Sequence, residues 1–118
     1  MMRPSEDIRV YVCESPVDMR KSINGLSVLV EGTLSLDPFA PHLFVFCNRG
    51  RNKIKVLYWE RNGFVLWYKR FEKDRVYWPE ATTEGVTTMT GRELNWLLDG
   101  YDLSKLRPHR KLSYTTVL

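Results

Sequence analysis

Residues whose side chains usually carry catalysis are few in this chain and stand apart from one another. The two histidines, His42 and His109, each follow a proline, and neither has a cysteine or carboxylate at a metal-ligand spacing. Cys13 and Cys47 have no CxxC partner, and no serine elbow, HExxH sequence or glycine-rich dinucleotide loop is present. A two-metal nuclease needs several carboxylates that converge from strands, whereas most acids here fall at predicted caps and turns. We therefore expect no catalytic residue, no metal ligand and no cofactor, and a protein that is not an enzyme.

Cations interleaved with aromatic residues are the functional signal that remains. Residues 48–75 hold nine Lys and Arg against three acids, and residues 104–118 hold four against none. The whole chain carries only +4, so the rest of it is net acidic. Lys and Arg neutralise phosphates, and exposed aromatic rings stack on bases at about 1–3 kcal/mol each. This distribution indicates a polyanion-binding surface, although a solvated charged face would have the same composition.

A tight hairpin is predicted at Asn62-Gly63, because this pair tolerates the positive φ angles of two-residue turns. With these two residues as the loop, Lys55 lies opposite Arg70 and Lys53 lies opposite Glu72. A like-charge pair costs a few tenths of a kcal/mol or more, which a bound anion would offset, unless both heads splay into solvent. The predicted core face holds Ile54, Val56, Tyr58, Val65, Trp67 and Phe71. The predicted basic and aromatic outer face holds Lys53, Lys55, Trp59, Tyr68 and Arg70.

The predicted nucleic-acid-binding residues are loop and strand cations, two aromatic residues and a basic tail. They are Arg49, Arg51, Lys53, Lys55, Trp59, Tyr68, Arg70, Lys105, Arg107, Arg110 and Lys111. The cations would contact phosphates, and the rings would stack or pack against sugars. The loop over residues 48–52 reads Asn-Arg-Gly-Arg-Asn, in which two arginines flank a glycine that allows close approach to phosphate. This loop does not match the P-loop pattern.

The strands that would position these residues belong to an antiparallel meander. Alternating residues predict a strand over 8–13, and the continuous apolar run Leu43–Cys47 predicts a central strand. The hairpin follows, and a fourth short strand of the meander is predicted at residues 75–78. Residues 86–89 are expected to form a short edge strand.

Two helices are predicted to pack against this sheet. Apolar residues recur at helical spacing over residues 19–34, with Asp18 as the expected N-cap. Thr90 and Glu93 form a capping-box sequence that predicts a short C-terminal helix ending before Gly100. We therefore expect a single α+β domain over residues 1–103: an antiparallel β-meander with one N-terminal strand and helix packed on it and a short C-terminal helix. Residues 104–118 are expected to form a basic tail that is loosely ordered when free.

The location of the protein is predicted from what its sequence lacks. No run of about 18 apolar residues exists, and the N-terminus has no apolar stretch of a signal peptide. Cys13 and Cys47 could pair in principle, but their apolar surroundings favour buried free thiols in a reducing compartment. We expect a cytoplasmic protein with no membrane contact.

Several long segments are distinctive as written: VDMRKSINGL, LFVFCNR, LYWERNGFVLWYKR, ELNWLLDGYD and KLRPHRKL. Over nearly the whole chain the sequence resembles the TnpB accessory proteins, encoded by the second open reading frame of bacterial insertion-sequence-sixty-six type transposons. The resemblance implies a role in transposition of a mobile element, a form of DNA recombination, beside a separate DDE-type transposase that performs strand chemistry. It also implies the transposase and the other transposon-encoded accessory protein as partners. It brings no catalytic residues with it.

Two functions fit these observations. The favoured one is a non-catalytic accessory protein of DNA transposition that binds nucleic acid through the basic-aromatic sheet face, the basic loop and the tail. The alternative is a protein–protein adaptor for the transposase without direct DNA contact, in which Trp78 and Trp96, if exposed, would anchor an apolar patch. A nuclease or integrase core is a remote third. The sequence carries no signal for the oligomeric state.

Overall fold

The computed structural model describes residues 3–106. Its elements are β1 (Arg9–Cys13), α1 (Ile23–Gly32), β2 (Leu43–Cys47), β3 (Lys53–Glu60), β4 (Gly63–Arg70), β5 (Val86–Thr90) and α2 (Gly91–Leu98). The five strands form one sheet in the order β4-β3-β2-β1-β5. Strands β1 and β2 pair in parallel and every other neighbouring pair is antiparallel, so the sheet is mixed. The predicted α+β class with a short C-terminal helix is confirmed.

The core lies on both faces of the central strand β2, in which all five residues are buried. Alternation sends Phe44 and Phe46 to one face, where they pack with Leu26 and Val30 of α1. Val45 points to the other face, in the cluster that contains the leucines of α2. Each fully buried side chain of this size stabilises the fold by about 1.5–3 kcal/mol. The sheet is therefore sandwiched between its two helices.

Helix α1 is shorter than the predicted helix over residues 19–34. It spans Ile23–Gly32, with Ser22 at the N-cap position and no side-chain capping bond. The prediction that Asp18 caps this helix is wrong, because its Oδ1 instead accepts a hydrogen bond from the backbone N–H of Arg20 at 2.9 Å and closes a turn.

A contact from the sheet explains the late start of α1. The Lys55 ammonium donates to the carbonyl oxygens of Met19 at 2.7 Å and Lys21 at 2.8 Å. In the predicted helix these carbonyls would accept from backbone amides four residues later. They point at β3 instead, so residues 19–22 form a turn and the helix begins after it.

The turn of the β3–β4 hairpin lies one residue earlier than predicted, which shifts the partner of each β3 residue by two positions along β4. The turn consists of Arg61 and Asn62, and Arg61 has a φ of 54°. Lys53 therefore lies opposite Arg70, and the predicted pairing of Lys55 with Arg70 is wrong. Because the shift is an even number of residues, every side chain keeps its predicted face of the ribbon.

The fourth meander strand predicted at residues 75–78 is wrong. Strand β4 lies at one edge of the sheet and β5 at the other, so the connection must cross the sheet. Val76 donates its N–H to the carbonyl of Arg51 at 2.9 Å, and the Trp78 indole N–H donates to the carbonyl of Cys13 at 3.1 Å. These bonds hold residues 71–85, the crossing segment, across one end of the sheet.

The predicted C-terminal elements are confirmed. Strand β5 forms the second edge and pairs with β1. Thr90 and Glu93 make both bonds of a capping box, and Gly100 follows the helix with a φ of 95°. Cys13 and Cys47 are buried free thiols, as expected. No helix within residues 3–106 has the length and apolar character needed to cross a membrane.

The start of the described chain packs tightly on the first turn of α2. The N–H of Gly91 donates to the carbonyl of Ile8 at 2.8 Å, and the N–H of Arg92 donates to the carbonyl of Glu6 at 3.0 Å. A Cβ at position 91 would overlap the carbonyl oxygen of Ser5. A glycine is therefore required here by close approach of two backbones.

Candidate functional site

The loops that carry most of the cations meet at one end of the sheet, here called the basic end. It is the end at which β2 finishes, β3 begins and β4 finishes, so residues 14–22, 48–52 and 71–85 lie there. The cations of these loops and of the adjoining strand ends are Arg20, Lys21, Arg49, Arg51, Lys53, Arg70, Lys73 and Arg75. The acids of the same loops are Glu14, Asp18, Glu72, Asp74, Glu80 and Glu84, so the net charge of this end is a modest positive one.

The β2–β3 loop is held in shape by its two asparagines. Asn48 Oδ1 accepts from the backbone N–H groups of Asn52 at 3.1 Å and Lys53 at 3.0 Å, and its Nδ2 donates to Asn52 Oδ1 at 2.7 Å. Arg51 occupies the left-handed region with a φ of 60°. Arg49 then lines a cleft on one side of the loop and Arg51 a second cleft on the other.

The first cleft, called the Arg49 cleft, has a volume of about 490 Å³ and lies between the loop and residues 16–20. Its charged lining residues are Asp18, Arg20, Arg49 and Lys53. Hydrogen bonds from Arg20, at distances down to 2.7 Å, lower the pKa of Asp18 to about 2, so the two charges neutralise each other. Within the described chain no ion pair joins Arg49 or Lys53 to a carboxylate, so both cations are available to a ligand.

The second cleft, called the Arg51 cleft, has a volume of about 970 Å³ and lies where the crossing segment meets the end of α2. Lys69 Nζ donates to the carbonyl of Leu98 at 2.7 Å, and Asp99 pairs with Arg3 at 2.9 Å. Nη1 of Arg51 is buried, and the Arg51 guanidinium interacts with the Cys47 thiol. The charged residues that line the cleft are Arg51, Lys69, Lys73, Asp74, Arg75 and Asp99.

Burial dominates the chemistry of the thiol next to the Arg51 cleft. It raises the pKa of Cys47 to about 11, although the nearby Arg51 guanidinium favours the thiolate. The side chain is fully buried. Cys47 is therefore a protonated packing residue and not a nucleophile.

The predicted outer face of the hairpin is partly covered, which corrects the expectation of an open basic sheet. Residues of that face lie on the side of α1, and Leu57 is fully buried beneath the helix. Lys55 is half-buried with its ammonium bonded to two carbonyls. Arg70 is exposed and pairs with the exposed Glu72 at 2.9 Å. Lys53, beside the Arg49 cleft, has neither a carboxylate partner, as Arg70 has, nor carbonyl partners, as Lys55 has, within the described chain.

The two aromatic residues predicted to contact nucleic acid lie in different surroundings. Trp59 is half-buried and makes edge-to-face contacts with Phe39 and Phe64, with ring centroids 5.0 Å apart in each pair. It lies toward the hairpin turn, away from the basic end. Tyr68 is 49% exposed, and the Lys55 ammonium lies 5.9 Å from its ring centroid. Of the two rings, Tyr68 is the more accessible.

The predicted basic tail is described only in part. Lys105 is exposed in a helical turn over residues 103–106. Leu103 is buried and, with Ser104, shares a cavity of about 700 Å³ with Tyr77 and Trp78 of the crossing segment. Arg107, Arg110 and Lys111 lie outside the described residues.

The tryptophans named as adaptor anchors are both half-buried. The indole of Trp78 is held by its bond to the carbonyl of Cys13. Trp96 packs against the core, and the Arg92 guanidinium lies 5.0 Å from its ring centroid. Both rings already have intramolecular roles.

Two further cations, Lys73 and Arg75, were not among the predicted binding residues. Both lie within the basic block of residues 48–75, in the segment for which the sequence predicts a tight connection and a fourth meander strand. The crossing segment brings them to the Arg51 cleft instead. The signal that could have placed them was the edge position of β5, which requires the chain to cross the sheet.

A buried acid, Glu14, fixes the far part of the crossing segment. Its carboxylate is 3% exposed and accepts hydrogen bonds from Thr87 Oγ1 and from both the backbone N–H and Oγ1 of Thr82. Burial alone would raise the pKa of Glu14, but the hydrogen bonds from Thr87 and Thr82 outweigh it and lower the pKa. The acid therefore stabilises a loop at the basic end.

No group of three or more His, Cys, Asp or Glu within residues 3–106 is arranged to hold a metal ion. The arrangement of the basic end suits the binding of anions through paired guanidinium and ammonium groups.

Comparison with known proteins identifies the family. The sequence model of the IS66 Orf2-like proteins matches residues 8–108. The uncharacterised protein y4jC of Sinorhizobium fredii (strain NBRC 101917 / NGR234) is 31% identical over 107 residues, which cover 91% of each chain. The uncharacterised protein y4hO of the same strain is 31% identical over 102 residues, which cover 86% of this chain and 88% of the relative. No solved structure matches. The chain therefore belongs to the transposition-associated family of IS66 Orf2-like proteins.

Proposed function

We propose that this protein is a non-catalytic accessory protein of transposition that binds DNA through its basic end. The observation that supports the proposal is the pair of clefts on either side of the β2–β3 loop. Lys69 is held by the carbonyl of Leu98, and five further cations there have no ion pair with a carboxylate in the described chain: Arg49, Arg51, Lys53, Lys73 and Arg75. The first three belong to the β2–β3 loop and the start of β3, and the other two belong to the crossing segment. The two groups meet because the crossing segment lies across the end of the sheet where that loop is found.

Each cation has a part in this proposal. Arg49 and Lys53 contact phosphates from the Arg49 cleft, and Arg51 does so from the Arg51 cleft. Lys55 holds the turn before α1 against β3 and positions Arg20 and the wall of the Arg49 cleft. The tail cations Lys105, Arg107, Arg110 and Lys111 add further phosphate contacts.

The proposal predicts binding that is strongly salt-dependent. If the five cations each neutralise one phosphate, they contribute about −4.5 to the slope of log K against log salt for duplex DNA, since each contributes about −0.9, and contacts from the tail make the slope steeper. Fluorescence anisotropy with labelled duplex and single-stranded DNA measures this slope. No detectable binding at about 50 mM salt, where counterion release favours association strongly, contradicts the proposal.

A charge-reversal pair tests the location. The double variant Arg49→Glu, Lys53→Glu is expected to abolish measurable binding at moderate salt. The double variant Arg9→Glu, Arg61→Glu is the matched control, because it makes the same change in net charge at two exposed cations of the opposite end of the sheet. Equal losses in the test and control variants would mean that net charge, and not the basic end, determines binding.

A further inference from the structure

Strand β4 is a mainly apolar edge strand whose outer backbone side is not paired with another strand of the described chain. None of its eight residues is buried, although residues 64–68 read Phe-Val-Leu-Trp-Tyr. The other edge strand, β5, has five residues, of which three are threonines. Natural edge strands are usually short, charged or covered, because a bare edge invites pairing with another chain. The two edges of this sheet therefore differ, and β4 has the properties of a pairing edge.

The hairpin register determines which backbone groups of β4 point away from the sheet. Alternate pairs in an antiparallel ladder exchange their hydrogen bonds, and the pair that closes a two-residue turn is a bonded one. Residues 63, 65, 67 and 69 therefore bond to β3. The bond from the N–H of Phe71 to the carbonyl of Asn52, at 2.7 Å, continues the same alternation. The N–H and C=O groups of residues 64, 66, 68 and 70 point away from β3, where the described chain supplies no further strand.

The distribution of charge along β4 favours antiparallel over parallel pairing of two such strands. Its two cations, Lys69 and Arg70, both lie at its C-terminal end. Parallel pairing of two such strands would place like charges opposite one another, which is destabilising. Antiparallel pairing separates them, because the basic end of each strand meets the uncharged start of the other.

We propose that two copies of this chain pair β4 with β4 in antiparallel orientation, about a two-fold axis at Trp67, to form one ten-stranded sheet. A two-fold axis perpendicular to the sheet keeps equivalent faces together, so the pairs join residues of the same face. Phe64 then lies opposite Arg70 of the second copy, and Leu66 lies opposite Tyr68 of the second copy. The outward N–H and C=O groups of residues 64, 66, 68 and 70 form about eight backbone hydrogen bonds across the axis.

The first test is the mass of the protein in solution as a function of concentration. Sedimentation or light scattering over about two orders of magnitude in concentration is expected to show a rise from 13.9 kDa toward twice that mass. The rise should persist in high salt after nuclease treatment, so it is independent of DNA binding. A protein that stays monomeric throughout overturns the proposal.

The second test removes one outward N–H group without touching the β3–β4 ladder. Tyr68→Pro eliminates an N–H that points away from β3, and proline is tolerated at such edge positions. Two hydrogen bonds are lost per dimer, so the dimer Kd should rise about 30-fold. Tyr68→Thr is the control, since it removes the ring but keeps the N–H and a β-branched side chain, and it should retain the dimer. A Tyr68→Pro variant that folds and dimerises like the wild type overturns the proposal.

Amide hydrogen exchange of the wild-type protein tests whether β4 pairs with a second copy of itself, even if the proline variant does not fold. Amides 64, 66, 68 and 70 should gain protection as concentration rises, whereas amides 65, 67 and 69 should be protected at every concentration. Uniform behaviour of the two sets at all concentrations contradicts self-pairing. Protection of the outward set that appears only when a different protein is added also contradicts it and would identify another strand as the occupant.

Discussion

The contrast between two neighbouring lysines on β3, Lys55 and Lys53, is the sharpest test of this structure. The Lys55 ammonium donates to two carbonyl oxygens of the turn before α1, those of Met19 and Lys21. Lys53 has no such bonds and lines the Arg49 cleft. We therefore expect that Lys55→Met mainly destabilises the protein and that Lys53→Met mainly weakens DNA binding.

The magnitude for Lys55→Met follows from the two lost bonds. A hydrogen bond to a charged group contributes about 1.5–3 kcal/mol. The bond to Lys21 is exposed, and water can replace it, whereas the bond to Met19 is partly buried. Methionine retains the apolar stem, so the loss is about 2 kcal/mol in the free energy of unfolding, or a fall of about 8 °C in Tm for a domain of this size.

Urea denaturation measures the difference in the free energy of unfolding between the two variants. The salt dependence of DNA binding measures whether either variant has lost a phosphate contact. Lys53→Met should change stability by less than about 0.5 kcal/mol and reduce the slope by about 1. Lys55→Met should leave the slope unchanged under conditions in which the variant is folded. Equal stabilities of the two variants would refute the reasoning, because the long-range bonds of Lys55 would then contribute nothing.

Three further predictions concern the interior. Glu14→Gln should cost about 1–3 kcal/mol at pH 7, because the pKa of the buried carboxyl is lowered below its ordinary 4.5 and the ionised form is the hydrogen-bonded one. Its contribution is present above pH 4.5 and is lost as pH falls through the folded pKa, so denaturation curves of the variant should lose part of the wild type's acid sensitivity. Cys13 and Cys47 should not react with a thiol reagent at pH 8 in the folded protein, since burial raises the pKa of each, and both should react in urea. Rapid reaction of either thiol in the folded protein would contradict their burial. Gly91→Ala should destabilise by roughly 1–3 kcal/mol through overlap with the Ser5 carbonyl, and unchanged thermal stability would show that residues 5–8 do not pack on α2.

Local signals in the sequence predicted most elements of this fold. Apolar continuity identified β2 as the central strand, and the Thr90–Glu93 capping box located the start of α2. The period-2 pattern assigned the correct faces of the hairpin even though its register was wrong by two residues. The Asn-Gly pair predicts a turn on its own two residues, whereas the observed turn lies on Arg61 and Asn62, with Arg61 at positive φ and Gly63 already in β4.

The errors arose from contacts between residues that are distant in the chain. The late start of α1 depends on Lys55, which lies more than 30 residues beyond the turn that it holds. The course of residues 75–78 depends on the position of β5 at the far edge of the sheet. The candidate site was therefore predicted only in part: the basic loop was found, but the second cleft, which requires the crossing segment, was not.

The pairing of β1 with β5 has a consequence for synthesis. Arg9 of β1 pairs with Thr90 of β5, so β1 can pair with β5 only after most of the chain has been synthesised. Strands β2, β3 and β4 are joined by short turns and can associate early, whereas ring closure over some eighty residues is intrinsically slow. During translation, the edge of β1 that pairs with β5 stays unpaired until the last third of the polypeptide leaves the ribosome. A ribosome-bound nascent chain that stops before residue 86 should therefore be readily degraded, while one extended past α2 should resist proteolysis.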